Sequence, residues 1–125
     1  MKHVVVGWFE IPASNMERAM AFYENVFDCK LDRHKMDEID MAWFPWDHTK
    51  SGAGGSLVKN EKYYNSSTEG VLVYFSSTDV AIELEKVEPA GGKLLQRKTL
   101  ISEDIGYMGL FLDTEGNRIG IHSLK

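Results

Sequence analysis

Apolar and polar positions follow two different periods along the chain, and the order of these periods predicts its elements. Val4–Ile11 is a run of β-branched and aromatic residues that ends at Pro12, which favours a strand. The next apolar positions are spaced by three or four residues and predict a helix of about three turns. They are Met16, Ala19, Met20, Tyr23, Val26 and Phe27. Ser14 and Glu17 have the spacing of a capping box, so the helix is expected to begin there.

The same order of elements recurs in the second half of the chain. Three short segments of strand composition follow the first helix: Lys30–Met36, Met41–Trp46 and Gly55–Asn60. A further strand, Val71–Ser76, then leads to a second helix with an expected N-cap at Asp79 and an end at Pro89. The apolar positions of that helix are Val80, Leu84 and Val87. The last three predicted strands are Lys93–Arg97, Tyr107–Leu112 and Arg118–Ser123.

This repetition predicts an α+β fold built from two βαβββ modules in a single domain, residues 1–125. Module one spans 1–60, a polar linker 61–69, and module two 70–125. Each module should form a small mixed sheet with one helix on one face. Apolar residues occupy both parities of Val4–Ile11 and of Tyr107–Leu112, so the opposite faces also need cover. Curved sheets around a shared cavity would provide it, and a ligand would bind in that cavity.

Composition and charge exclude several classes of partner. The chain has 43% hydrophobic and 11% aromatic residues and a formal charge of -5, which argues against nucleic acid or an anionic membrane as a partner. Cys29 is the only cysteine, so no internal disulfide forms and a reducing compartment is expected. The first ten residues have neither a signal-peptide core nor a membrane span. We therefore expect a cytoplasmic protein.

Three segments carry a family resemblance: FEIPASNMERAMAFYENVF at Phe9–Phe27, AGGK at Ala90–Lys93, and DTEGNRIGIH at Asp113–His122. Together with the repeated strand order they resemble the vicinal-oxygen-chelate superfamily, which includes glyoxalase I, bleomycin-resistance proteins and extradiol dioxygenases. The resemblance implies the two-module fold and a homodimer. It leaves the activity open, because the family contains lyases, isomerases, epimerases, dioxygenases and non-catalytic drug binders.

The resemblance also locates the positions at which metal-using members hold a divalent ion. These positions correspond to Trp8, Ser56, Val71 or Val73, and Gly120. None of these residues is a usual ligand of a divalent metal, so no cofactor is expected at the family's site. A displaced divalent-metal site is the alternative, and its ligands would be Glu10, His122 and His48.

Glu10 and His122 are the candidate catalytic residues. Each lies two residues beyond a substituted family position, so its side chain should point into the same cavity. There they could act as a general base and its partner. The alternative is structural: Glu10 pairs with Arg18 or Arg118 at the rim of the cavity, and His122 hydrogen-bonds a backbone carbonyl.

Large aromatic residues on the strands favour a binding surface for a small organic molecule. The candidate ligand-binding residues are Trp8, Trp43, Trp46, Ser56, Tyr107, Arg118 and Gly120. Gly52–Gly55 is expected to form a mobile lip, to which Tyr63 and Tyr64 of the linker could add.

Three functions follow from these residues. Binding of a small organic ligand without the family's metal is preferred. The first alternative is a divalent-metal lyase, isomerase or dioxygenase of glyoxalase type that uses Glu10 and His122. The second is an interaction module whose cavity is filled by side chains.

Overall fold

The computed structural model describes residues 2–125 and contains eight strands and two helices. The strands are β1 (Trp8–Pro12), β2 (Asp32–Met36), β3 (Ile39–Trp43), β4 (Gly54–Lys59), β5 (Val73–Ser76), β6 (Lys93–Ser102), β7 (Gly106–Leu112) and β8 (Arg118–Ser123). The helices are α1 (Met16–Phe27) and α2 (Val80–Val87). Neither of these two helices, within the residues described, is long and apolar enough to cross a membrane.

The strands form two separate four-stranded mixed sheets, in the orders β1-β4-β3-β2 and β5-β8-β7-β6. In each sheet the first strand of a module pairs in parallel with the last, and the other pairs are antiparallel. The predicted α+β fold of two βαβββ modules is therefore confirmed. Strands β1 and β5 each lie at an edge of their sheet. These two edges are therefore free to border a common space.

Some predicted boundaries were wrong. The exposed residues Val4–Val6 lie outside β1, which begins at Trp8, and Trp46 lies outside β3. Strand β6 extends to Ser102 because its pairing with β7 continues through irregular register shifts.

The capping box predicted at the start of α1 was also wrong. The N-cap is Asn15, whose side-chain oxygen accepts from the Arg18 amide at 3.0 Å. Glu17 does not reach back to cap the helix, and instead its carboxylate pairs with Arg33 at 2.8 Å. The Ser14 hydroxyl donates to Glu115 at 3.0 Å, so it is engaged by the other module.

One apolar core joins the two modules. Phe22 and Tyr23 of α1 are fully buried, and the Phe22 ring lies 5.9 Å from that of Phe111 on β7. At the sheet edges, Phe9 of β1 meets Phe75 of β5 with ring centroids 5.6 Å apart in a T-shaped contact. These contacts hold β1 and β5 side by side although no backbone ladder connects them.

The turn between β7 and β8 ties module two to the start of α1. The Glu115 carboxylate has no exposed surface and accepts hydrogen bonds from the Ser14 and Asn15 amides at 2.9 and 2.8 Å. It also pairs with Arg18 at 2.7 Å. Burial alone would raise the pKa of Glu115, but the hydrogen bonds from Arg18 and from the Asn15 amide outweigh it and lower the pKa to about 2.

A second carboxylate in the same turn is held differently. Asp113 is buried and accepts from the Tyr23 hydroxyl at 2.7 Å and from the Asn117 side chain at 2.9 Å. Burial raises the pKa of Asp113 in spite of these hydrogen bonds. The two carboxylates thus fix the β7–β8 turn against α1 and set the relative position of the modules.

Candidate functional site

A cavity of about 680 Å³ lies between the edge strands β1 and β5. Its walls come from both strands, from the segments that precede them, and from the loop before β4. The lining residues are Val6, Trp8, Phe9, Glu10, Ser51, Gly52, Ala53, Val71, Leu72, Val73, Tyr74, Phe75 and Ser76. The Phe9–Phe75 contact joins the two walls, and the cavity volume falls within the range typical of small-molecule sites.

Strand register determines which side chains share the face away from the helices. In the first sheet, Trp8 lies beside Gly54, and Glu10 lies beside Ser56, which in turn lies beside Trp43. Alternate residues on these strands, such as Ile11 and Leu57, point toward the core instead.

In the second sheet Tyr74 pairs with Gly120, and Ser76 pairs with His122. The Tyr74 ring covers Gly120 so closely that a Cβ atom at that position would lie 2.6 Å from it. A side chain at position 120 would therefore have to displace this ring.

The three indoles of module one form a connected aromatic cluster. Trp8 and Trp43 meet at right angles with ring centroids 6.0 Å apart, and His34 lies over Trp43 at 4.0 Å. A Cβ atom on Gly54 would lie within 3.3 Å of both Trp46 and Trp8, so these two rings flank that glycine. Of the three tryptophans predicted to bind a ligand, Trp8 lines the cavity, whereas Trp43 and Trp46 are not among its lining residues: Trp43 packs against Trp8, and Trp46 lies beside Gly54.

Glu10 is bound by two neutral donors. The Tyr64 hydroxyl donates to one carboxylate oxygen at 2.6 Å, and the Trp8 indole Nε1–H donates to the other at 3.4 Å. The alternative pairing of Glu10 with Arg18 or Arg118 is wrong: Arg18 is bound to Glu115, and no ion pair found among residues 2–125 involves Glu10. The hydrogen bond to Glu10 raises the pKa of the Tyr64 hydroxyl above its ordinary value of 10.0.

His122 is held within its own module. Its Nε2 lies 2.6 Å from the carbonyl oxygen of Ile105, in the turn before β7, so this nitrogen carries the proton when the ring is neutral. No hydrogen bond links His122 to Glu10 in residues 2–125. This geometry corresponds to the structural alternative for His122, and it leaves the proposed base and its partner unconnected.

The displaced metal site is not assembled by the described part of the chain, in which no three His, Cys, Asp or Glu side chains form a ligand group. His48, the third suggested ligand of that site, lies in the exposed loop after Trp46. The centroid of its ring lies 6.2 Å from that of the Trp46 ring.

The family's own metal positions can also be tested against the structure. Val71 and Val73 both line the cavity, but Val71 precedes β5 and is 93% exposed, and Val73 pairs with Ile119 rather than with Gly120, the last of the family positions. The inward residue of β5 is Tyr74. The four inward positions are thus held by Trp8, Ser56, Tyr74 and Gly120, which provide neither an imidazole nor a carboxylate. This set does not fit a divalent ion.

Three further predicted ligand-binding residues have different outcomes. Tyr107 does not point into the cavity: it pairs with buried Ser123, whose hydroxyl accepts from the first amide of α2, and its ring packs against the core. Arg118 lies on the inward face of β8, opposite Leu112, and its Nε is buried with no hydrogen-bond partner among the residues described. The Ser56 hydroxyl is likewise buried without a partner there.

Sequence reasoning missed the contact between Glu10 and Tyr64, which are 54 residues apart. It also missed that the ring of Tyr74 closes over Gly120. The parity of Val73–Ser76 could have identified Tyr74, because Val73 and Phe75 are the apolar pair that the core requires.

The family model of the Glyoxalase/Bleomycin resistance protein/Dioxygenase superfamily matches residues 3–121, nearly the whole chain. The chain belongs to this superfamily. A glyoxylase-like domain-containing protein of Didymella fabae is 27% identical over 119 residues, which are 92% of this chain and 90% of that protein.

Solved structures share the fold. The hypothetical protein SA1046 of S. aureus superposes with a TM-score of 0.72 at 20% identity, covering 98% of this chain and 95% of that one. A glyoxalase I mutant from Zea mays gives 0.71 at 17% identity over 94% of this chain. The chain spans about half the length of that maize protein, since the match covers 46% of it.

Proposed function

We propose that this superfamily member binds a small organic molecule in the cavity between β1 and β5, without a divalent metal at the four inward positions. The observation that carries the proposal is the cavity itself, about 680 Å³ in volume and walled by Trp8, Tyr74 and mainly apolar neighbours. Trp8 is 43% exposed and Tyr74 is 48% exposed. Large rings that remain accessible inside a concave site are suited to contact a ligand.

The donor set supports binding over metal-dependent chemistry. Trp8, Ser56, Tyr74 and Gly120 replace the ligands that metal-using members carry, and the Tyr74 ring fills the space beside Gly120. Glu10 and His122 each have a hydrogen-bond partner of their own and no bond to each other among residues 2–125. The open cavity also favours ligand binding over an interaction module with a filled interior.

The loop before β4 gives the site a border that can adapt. The cavity is lined in this loop by Ser51, Gly52 and Ala53. The backbone of Gly52 has a φ angle of +105°, a conformation that favours glycine. A loop with this composition can adjust to a bound molecule while the strands hold the aromatic walls in place.

A plugged cavity tests the proposal. Ser76 lies on β5, lines the cavity and is exposed, so the variant Ser76→Trp places a large ring inside the site at a position compatible with a strand. Compounds that stabilise the native chain in a thermal-shift screen of aromatic molecules should lose their effect on this variant. At about 100 times its dissociation constant a ligand adds about 2.7 kcal/mol to the free energy of unfolding.

The matched control is Thr68→Trp, which adds the same ring at an exposed linker position outside the lining. It should respond to the same compounds as the native chain. The proposal is wrong if no compound stabilises the native chain, or if Ser76→Trp keeps every thermal shift.

A further inference from the structure

The charge of the cavity distinguishes between classes of ligand. Among its lining residues, all within the described part of the chain, Glu10 is the only one that carries a charge, and no lysine or arginine lines the walls. The polar groups of the other lining residues are the indole N–H of Trp8, the hydroxyls of Ser51, Tyr74 and Ser76, and backbone groups. The cavity is therefore negative and otherwise neutral.

The negative charge of Glu10 is not compensated by the protein. Both of its hydrogen-bond donors, the Tyr64 hydroxyl and the Trp8 indole, are neutral. The ion pairs found among residues 2–125 involve other carboxylates: those of Glu17, Asp32, Asp40, Asp79 and Glu115. A carboxylate in this position attracts a positive charge to the site.

The aromatic rings beside Glu10 favour the same charge. The faces of indole and phenol rings are negative, and they attract an organic cation that lies within about 6 Å of the ring centroid. Trp8 donates to Glu10 through its indole Nε1–H, so ring and carboxylate are held next to each other. Tyr74 faces the same cavity from the opposite strand and is 48% exposed.

We propose that the cavity selects organic cations, specifically amines or quaternary ammonium groups attached to an apolar or aromatic body. Glu10 would neutralise the cationic group, while Trp8 and Tyr74 would contact its substituents. The apolar body would lie against the walls formed by Val6, Val71 and Phe75. This inference rests on the proposed binding function and adds to it the chemical class of the ligand.

Three probes of similar size and different charge test the inference on the native chain. They are benzyltrimethylammonium, benzyl alcohol and phenylacetate, with affinities measured by calorimetry at low and high salt. We expect the cation to bind about tenfold more tightly than either of the others, and to weaken as salt is added. Equal or tighter binding of the neutral or anionic probe would overturn the inference, yet it would leave the proposed binding function intact.

The variant Glu10→Gln isolates the charge. Glutamine has the same shape and can still accept from Tyr64, so its expected effect is a loss of about tenfold in affinity for the cation. Affinity for benzyl alcohol should fall by much less than affinity for the cation, because the alcohol carries no charge. Glu103→Gln, in the exposed turn after β6, is the control and should bind all three probes as the native chain does.

The outcomes separate the two proposals. An unchanged cation affinity in Glu10→Gln would overturn the role of Glu10. Failure of all three probes and of the whole thermal-shift library to bind would overturn the binding function itself. If the variant does not fold, the comparison of the three probes on the native chain still decides the ligand class.

Discussion

Replacing Glu115 with alanine is expected to lower the free energy of unfolding by about 3 kcal/mol. The carboxylate is fully buried and joins module two to module one through the Ser14 and Asn15 amides and Arg18. Its removal leaves these donors without their acceptor and separates the β7–β8 turn from the start of α1. Urea denaturation followed by circular dichroism measures the change.

Two other variants define what the carboxylate contributes. Glu115→Gln keeps an oxygen for the backbone amides but loses the charge that binds Arg18, so it should lie between the native chain and Glu115→Ala. Glu103→Ala, at an exposed turn, should change the free energy by less than about 0.5 kcal/mol. If Glu115→Ala were as stable as Glu103→Ala, the turn would not be the connection between the modules.

Acid is expected to remove the same stabilisation. The pKa of Glu115 is lowered from 4.5 to about 2 in the folded chain, so its contribution is complete above pH 4.5 and is lost as the pH falls toward 2. A shift of this size corresponds to about 3 kcal/mol. Asp113 acts in the opposite direction: because its folded pKa is raised, acidification to below that pKa favours the folded state and offsets part of the loss.

The difference between the native chain and Glu115→Gln separates the two carboxylates, since Asp113 is present in both. Urea denaturation at a series of pH values between 7 and 2.5 should show this difference shrinking below pH 4.5. A difference that stays constant over this range would mean that Glu115 does not titrate with a lowered pKa.

Elements whose local sequence carries both periodicity and a turn were predictable. Strand β8 has the predicted bounds Arg118–Ser123, because alternating isoleucines and the preceding turn fix it. The module repeat followed from the same kind of local pattern. The start of β1 was not predictable in this way, because Val4–Val6 have strand composition but find no partner strand in the structure.

The orientation of side chains needed information that one strand does not contain. Tyr107 and Met108 both suit a half-buried strand, and only the pairing of Tyr107 with Ser123 decides which of them points toward α2. A one-residue change in register would have exchanged their faces.

The partners of the candidate residues were the least predictable part. Glu10 binds Tyr64 across 54 residues, and Arg18 binds Glu115 across 97, so the choice among several acids and bases is made only by the folded chain. The absence of usual metal ligands at Trp8, Ser56 and Gly120 was visible in the sequence, because it depends on residue type alone.

Binding at the cavity between β1 and β5 can be observed directly at Trp8. Its indole Nε1–H donates to Glu10, so its nitrogen–proton NMR resonance reports on the site, and the variant Trp8→Phe assigns it among the three indoles. On titration with benzyltrimethylammonium, we expect this resonance to move more than those of Trp43 and Trp46 and to saturate. A Trp8 resonance that stays in place at saturating ligand would contradict binding at this cavity.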